Sequence, residues 1–354
     1  MLFFSEEELL AKLSVIPLEV SIHGKAYAMG GISGVATYPE HRRSGYIRQL
    51  MQESLKLMKD AGQLISYLAP FSIGFYRKFG WELLANQIHF TIQKDQLPKR
   101  GPIPGSLARV PIDHPHISEL YQSYAQRNNG LLLRSESWWQ KLNKGRKDAK
   151  AAVYTNSSGE PRAYLIYTLK DFQMKIKEYI YLDEESRRAM FVFISQHDSM
   201  LNTVSGISAY HAQLSFLLDE PAIKQELKPY FMARIVDVKP FLEAYPFKET
   251  SEALFLHIED HIAPWNEGTY QLTWTDAGVK VQVIDGTDAN EHPTKRGLQL
   301  SINTLTTMLL CYQRPTFLHD SGKVEGPPAE IEQWERLIPR DEPEFLDFFL
   351  ERPR

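Results

Sequence analysis

The sequence predicts an α/β fold that gives way to α+β toward its C-terminus: two successive α/β units followed by a strand-rich third. Three observations carry this. Apolar residues switch between a spacing of two and a spacing of three to four along the first 240 positions. Three prolines with glycine and basic residues crowd positions 97–105, the composition of a linker. Beyond residue 250, short alternating runs dominate before two last helical stretches. The length fits, since 354 residues exceed what one core ordinarily supports.

Taken in order, residues 10–37 alternate β-branched and apolar with polar residues about the turn His23-Gly24-Lys25, which predicts a hairpin. After Pro39 the period lengthens. Ile47, Leu50, Met51, Leu55 and Met58 mark one helix face that ends at Ala61-Gly62. A buried strand at 64–68, a short segment at 72–79 ended by Gly80, and a strand at 87–92 complete the first unit. Past the linker, Asp113-His114-Pro115 reads as a helix entry, with helical spacing over 117–127. Strands at 151–154 and 162–169 flank the turn Asn156-Ser157-Ser158-Gly159, and a helix is expected over 185–202. A strand at 231–238 leads into strands at 253–258, 269–273 and 279–284 and helices at 302–312 and 329–337. No short fixed repeat is visible, which excludes solenoids and propellers.

Composition and charge narrow the function classes. With 43% apolar, 12% aromatic and 24% charged residues, the chain matches packed globular proteins and departs from disordered ones. Forty basic against forty-four acidic residues give a net charge of −4, which argues against nucleic acid as partner. Cys311 is the single cysteine and no secretory signal opens the chain, so a reducing cytoplasm is expected. Apolar runs such as 189–194 and 307–312 fall far short of the roughly 20 residues of a membrane span, and no membrane partner is expected.

The stretch Val35-Ala36-Thr37-Tyr38-Pro39-Glu40-His41-Arg42-Arg43-Ser44-Gly45-Tyr46 carries the chemistry. A strand end, a donor-rich turn and a glycine before a helix converge several N–H groups at a helix N-terminus, a cradle for an anion. Gly45 allows close backbone approach, and Arg42 and Arg43 add charge that can pair with phosphate. A solvated basic turn would account for the same residues.

Arg42-Arg43-Ser44-Gly45-Tyr46-Ile47 resembles the Arg/Gln-x-x-Gly-x-Gly/Ala loop of the GNAT superfamily of N-acetyltransferases, matching the arginine and first glycine and lacking the second small residue. Ser72-Ile73-Gly74-Phe75-Tyr76-Arg77-Lys78-Phe79-Gly80-Trp81 resembles more specifically a segment of the enhanced intracellular survival (Eis) family of that superfamily. Trp138-Trp139, Gln196-His197-Asp198, the run 229–238 and the terminal Asp347-Phe348-Phe349 extend the likeness over nearly the whole chain.

The resemblance implies tandem GNAT-like domains, each a mixed sheet flanked by helices, followed by a sterol-carrier-protein-like α+β domain. On it, residues 1–97 form a catalytic GNAT domain, 98–238 a second one without a cofactor loop, and 239–354 the sterol-carrier-like domain. The implied activity is acetyl transfer from acetyl-CoA to a primary amine of a small molecule such as an aminoglycoside, by a homo-hexamer, without a metal. Carried over residue by residue, Val35, Ala36 and Thr37 bond the pantetheine, Arg42, Arg43, Gly45 and Tyr46 hold the pyrophosphate, and Phe71 and Ser72 also contact the cofactor. Tyr76 falls on the family's general acid, a phenol that protonates the departing thiolate. For an arbitrary tyrosine, packing on Phe79 and Trp81 would be explanation enough.

The family's general base is the chain's terminal carboxylate on a phenylalanine. Here that residue matches Phe349, and the chain continues through Leu350-Glu351-Arg352-Pro353-Arg354. Either the tail returns the carboxylate of Arg354 or Glu351 to the site, or another group or a water chain takes the proton. The strand and two helices that open a GNAT domain also lack a counterpart here. Their loss is expected to expose a sheet edge and open the acceptor side. Two alternatives follow: acetylation of protein lysines, or a non-catalytic scaffold for CoA or lipid.

Other motifs point elsewhere than to sites. His257 and His261 fall four apart in a strand-like run, too far apart along a strand to share a metal easily. His114 and His116 read as helix entry, Cys311 as core, and Trp138-Trp139 as a pair split between core and interface. The apolar face of 302–312 is explained by packing on a sheet without a bound lipid.

Overall fold

The computed structural model describes residues 1–354 apart from 6–7, 100, 277, 285–295 and 345–354. Its contacts fall into two units, one formed by residues 1–85 with 230–343 and the other by residues 86–229 with 344.

In the first unit, β1 (Leu2–Ser5) pairs antiparallel with β2 (Glu8–Ile22), and β2 with β3 (Lys25–Thr37). The hairpin turns through His23 and Gly24, both at positive φ, as a two-residue loop between right-twisted strands demands. Helix α1 (Tyr46–Asp60) then crosses over to β4 (Ile65–Leu68), which runs parallel to β3. Leu50, Met51, Leu55 and Met58 of α1 are buried, at the spacing of the expected face. A five-residue helix, α2 (Ile73–Arg77), follows, and β5 (Glu82–Gln93) carries the chain into the second unit.

The second unit orders its strands β5-β10-β9-β8-β7-β6, with β6 (Ser106–Val110), helices α3 (Pro115–Arg127) and α4 (Glu136–Lys144), β7 (Lys150–Thr155), β8 (Pro161–Lys170), β9 (Gln173–Tyr181), α5 (Glu184–Ser195) and β10 (Thr203–Ala209). Its described pairings are antiparallel except β9 with β10, which α5 joins as the crossover. The helix expected over 185–202 stops at Ser195, because the His197 ring takes up the Phe193 carbonyl at 2.9 Å and the chain turns. One apolar cluster gathers Tyr154, Leu165, Phe191 and Ile194, and another Tyr121, Tyr164, Ile166 and Ile180. Buried Glu178 accepts from Arg134, Arg146 and Tyr164, and Arg134 lies 3.7 Å over the Tyr121 ring and 4.7 Å over Trp139. At Glu344, the carboxylate accepts from Tyr124 at 2.5 Å.

Strand β11 (Lys224–Ile235) returns the chain to the first unit and pairs antiparallel with β4, so the sheet there runs β1-β2-β3-β4-β11. After α6 (Val238–Ala244) come β12 (Leu254–Glu259), β13 (Gly268–Thr275), β14 (Gly278–Ile284), β15 (Leu298–Ser301), α7 (Ile302–Leu309), α8 (Pro315–Asp320), β16 (Val324–Glu325) and α9 (Pro328–Leu337). The second sheet runs β14-β13-β12-β15-β16. Tyr270, Leu256, Leu305, Met308 and Trp334 are all fully buried here. His257 lies in β12, its ring nitrogens against Thr269 and the Arg296 carbonyl, and His261 lies beyond the strand's end. Cys311 is buried, and desolvation pushes its thiol up to about 12. Among the described residues, no helix is long and apolar enough to cross a membrane.

Candidate active site

The site begins where two parallel strands part. β3 and β4 pair only over Met29–Ile32 and Ile65–Leu68. β3 continues to Thr37, while β4 ends and Ala69, Pro70 and Phe71 lead into α2. On its other side the end of β3 stays bonded to β2, Ala11 opposite Thr37 and Lys12 opposite Ala36, past an extra residue at Gly34–Val35 that bends the strand. Val35, Ala36 and Thr37 therefore present backbone to the β4 side without a strand opposite among the described residues. An extended ligand can occupy such an edge as a further strand would.

The chain leaves β3 through a short 3-10 turn, Pro39–His41, and reaches α1 by way of Arg42, Arg43 and Ser44, all exposed. Arg43 stands at φ +70° and Gly45, the N-cap of α1, at φ +85°. A Cβ on Gly45 would meet nothing within 4 Å, so the left-handed backbone, rather than space, calls for glycine there. Among the described residues no side chain caps α1, and no acidic residue lies in its first turn, so the positive end of its dipole lies among the exposed Arg42, Arg43 and Arg48. Tyr46 is half-buried and packs on the core cluster with Val35.

Both loops spring from the C-terminal edge of parallel strands, where open α/β sheets bind ligands. The second loop brings Phe71, which is 65% exposed, and Ser72, the N-cap of α2. Tyr76, in α2, is 3% exposed and edge-on to Phe71 at 5.4 Å and Phe75 at 5.2 Å. Val35, Tyr46, Ile73 and Tyr76 belong to one apolar cluster. The structure thus gathers the cofactor-binding candidates and Tyr76 at one sheet edge. Phe349 lies outside the described residues.

The turn after Tyr76 is held by side chains from later in the chain. Arg234, fully buried in β11, donates one arm to the Phe79 carbonyl and the other to Asp260 at 2.6 Å. Asp260 also accepts from the Ile262 and Ala263 amides and from Asn266. Asn303, at the start of α7, donates to the Arg77 and Trp81 carbonyls at 3.1 and 3.0 Å. Arg234, Asp260 and Asn303 are given no role in the site by the sequence analysis. A lone arginine inside the apolar run 231–236 is the signal, since a charge there needs a buried partner.

Comparison with known proteins places these features in a family. GNAT acetyltransferase domain families match residues 1–84 and 130–235, and a sterol carrier protein domain family matches 238–346. The fold superposes on a probable N-acyltransferase of Enterococcus faecalis with a TM-score of 0.91 at 30% identity, covering 98% of this chain and 88% of that one. It superposes on Eis1 of Mycobacterium abscessus with a TM-score of 0.82 at 18% identity, covering 98% and 90%. N-acetyltransferase Eis of Mycobacterium tuberculosis is 23% identical over 275 residues, 72% of this chain and 67% of the relative. An uncharacterized N-acetyltransferase of Streptomyces griseus is 23% identical over 338 residues, 86% of this chain and 77% of the relative.

The chain belongs to the Eis-like GNAT N-acetyltransferases.

Tandem GNAT domains followed by a sterol-carrier-like domain are therefore the architecture of this Eis-like acetyltransferase. Its two crossover helices differ in charge at the end that matters. α1 opens with glycine among arginines, whereas α5 opens with Asp183 accepting from the Ser186 amide and with Glu184 and Glu185 in its first turn. The second helix start already carries a carboxylate, which would repel a phosphate.

Proposed function

We propose that this Eis-like protein transfers the acetyl group of acetyl-CoA to a primary amine of a small molecule, an aminoglycoside being the candidate class, by direct attack of the amine. The observation that carries this reading is the unpaired end of β3 leading through Arg42, Arg43 and Gly45 into the uncapped N-terminus of α1. An extended chain with a diphosphate fits that edge and that helix end, the chain as a strand and the phosphates as anions.

Acetyl-CoA supplies an activated acyl group on a thiol that must leave with a proton. In this reading Val35, Ala36 and Thr37 orient the pantetheine through backbone bonds, and Arg42, Arg43, Gly45 and Tyr46 hold the pyrophosphate. Phe71 and Ser72 border the cofactor at the entry to α2. Tyr76 holds the proton for the thiolate on its phenol oxygen, in a setting its aromatic neighbours keep dry. The division into a catalytic domain at 1–97, a second GNAT-like domain at 98–238 and a sterol-carrier-like domain at 239–354 belongs to the same proposal, as does a hexameric assembly.

The test is thiol release from acetyl-CoA by the full chain with a panel of aminoglycosides, polyamines and a lysine peptide, run beside Arg43→Ala. Release that depends on one amine class and falls with Arg43→Ala supports the proposal and names the acceptor. Release with the lysine peptide alone would make the protein a lysine acetyltransferase. Binding of acetyl-CoA without release under any amine would make it a scaffold.

A further inference from the structure

We propose that Asn303, with the Arg234–Asp260 pair, positions Tyr76 through the backbone of the turn that follows it. The inference rests on the reading of Tyr76 as proton donor. A five-residue helix such as α2 does not hold itself, because one turn repays too little of its ordering entropy. Its apolar neighbours pack the Tyr76 ring, and the turn that follows fixes the backbone that carries it. That turn starts from Tyr76 itself, whose carbonyl accepts from the Phe79 and Trp81 amides at 3.0 and 3.3 Å.

Three further carbonyls of the same turn accept from side chains outside it. Arg77 and Trp81 both receive the Asn303 amide, and Phe79 receives Arg234. Arg234 is aimed by Asp260, and Asp260 by the amides of Ile262 and Ala263 and by Asn266, a network that lies wholly in the interior. Gly80 makes the fit possible. A Cβ there would fall 1.7 Å from an Arg234 nitrogen and 2.9 Å from Ile302, so arginine and the first turn of α7 press directly on its backbone. Asp260, Asn266, Ile302 and Asn303 all fall in residues 238–346, the span of the sterol carrier match. They act through the backbone that carries Tyr76.

The experiment uses Asn303→Leu in the full chain, because Asn303 is only half-buried and its loss, unlike that of Arg234 or Asp260, leaves no buried charge unpaired. The expected result is a fall in kcat of about tenfold or more with KM for acetyl-CoA held within about twofold. Amide exchange at residues 76–81 of the ligand-free protein should quicken about tenfold. In a Tyr76→Phe background the same substitution should change kcat by less than about twofold, since the group it positions is gone. Unchanged kcat in Asn303→Leu, or an equal loss in both backgrounds, would overturn the positioning role. Full turnover by Tyr76→Phe alone would instead remove the proton-donor reading, and the positioning role with it.

Discussion

Arg134 meets Glu178 nitrogen to oxygen on both arms, at 2.7 and 3.0 Å, with neither side chain more than 3% exposed. The pair works against desolvation, which alone would raise the carboxyl, yet the Arg134 and Arg146 guanidiniums and the Tyr164 hydroxyl hold Glu178 well below the usual carboxylate range. A depressed carboxyl stabilises the fold fully above its unfolded value, near 4.3, and loses that contribution as pH falls toward the folded value.

Glu178→Gln should therefore destabilise the second unit by about 3–5 kcal/mol at pH 7, because it leaves Arg134 buried beside a neutral amide. Urea unfolding across pH checks both halves of this statement. The parent should weaken below about pH 4 while the variant shows a flatter acid limb; parallel curves would rule out the linkage.

That ion pair marks what the sequence conceals. α1 is legible because its apolar residues keep one face without interruption, and the hairpin because His23-Gly24 punctuates two alternating runs. β9 escapes the sequence reading although Met174, Ile176 and Ile180 point inward at strand spacing, for Glu178 stands at the inward position between them and breaks the apolar pattern. The proposed cofactor loop, Arg42 to Gly45, is legible through local backbone chemistry. The Arg234, Asp260 and Asn303 hold on the Tyr76 turn is not, since it joins that turn to residues 155 to 226 positions further along the chain.

Tyr76→Phe should lower turnover by about 10²–10⁴-fold and leave acetyl-CoA affinity nearly unchanged, because the ring's packing on Phe71 and Phe75 survives while the proton is lost. Steady-state kinetics with an independent binding titration separates the two quantities. Turnover close to the parent's would exclude Tyr76 from proton transfer.

Arg43→Gly should move stability and affinity in opposite directions. At φ +70° an arginine carries backbone strain that glycine relieves, a gain of about 0.5–1 kcal/mol. Loss of its charge should weaken acetyl-CoA binding by about tenfold. Thermal melts and calorimetric titration give the two numbers, and a variant that binds as tightly as the parent would exclude Arg43 as a phosphate contact.

Gly80→Ala should destabilise the first unit by at least about 1–3 kcal/mol, the cost of φ +89° in a residue with a side chain, before the collision with Arg234 is added. Denaturant unfolding measures it. A neutral effect would mean that Arg234 can withdraw without loss.

Cys311 should resist iodoacetamide in the native protein at pH 8, since its buried thiol, pushed up to about 12, offers almost no thiolate. Mass spectrometry before and after unfolding reads the outcome. Rapid native labelling would contradict the burial.

The first unit is assembled from the two ends of the described chain, residues 1–85 and 230–343, with the second unit's residues 86–229 between them. During synthesis the Tyr76 corner leaves the ribosome long before Arg234, Asp260 and Asn303 exist, a delay on the order of ten seconds for the intervening residues alone. Until then β4 lacks β11, and the turn after the short helix lacks Arg234 and Asn303. The nascent chain can finish the middle unit first, and the proposed acetyl-transfer corner becomes rigid only after Asn303 has been made.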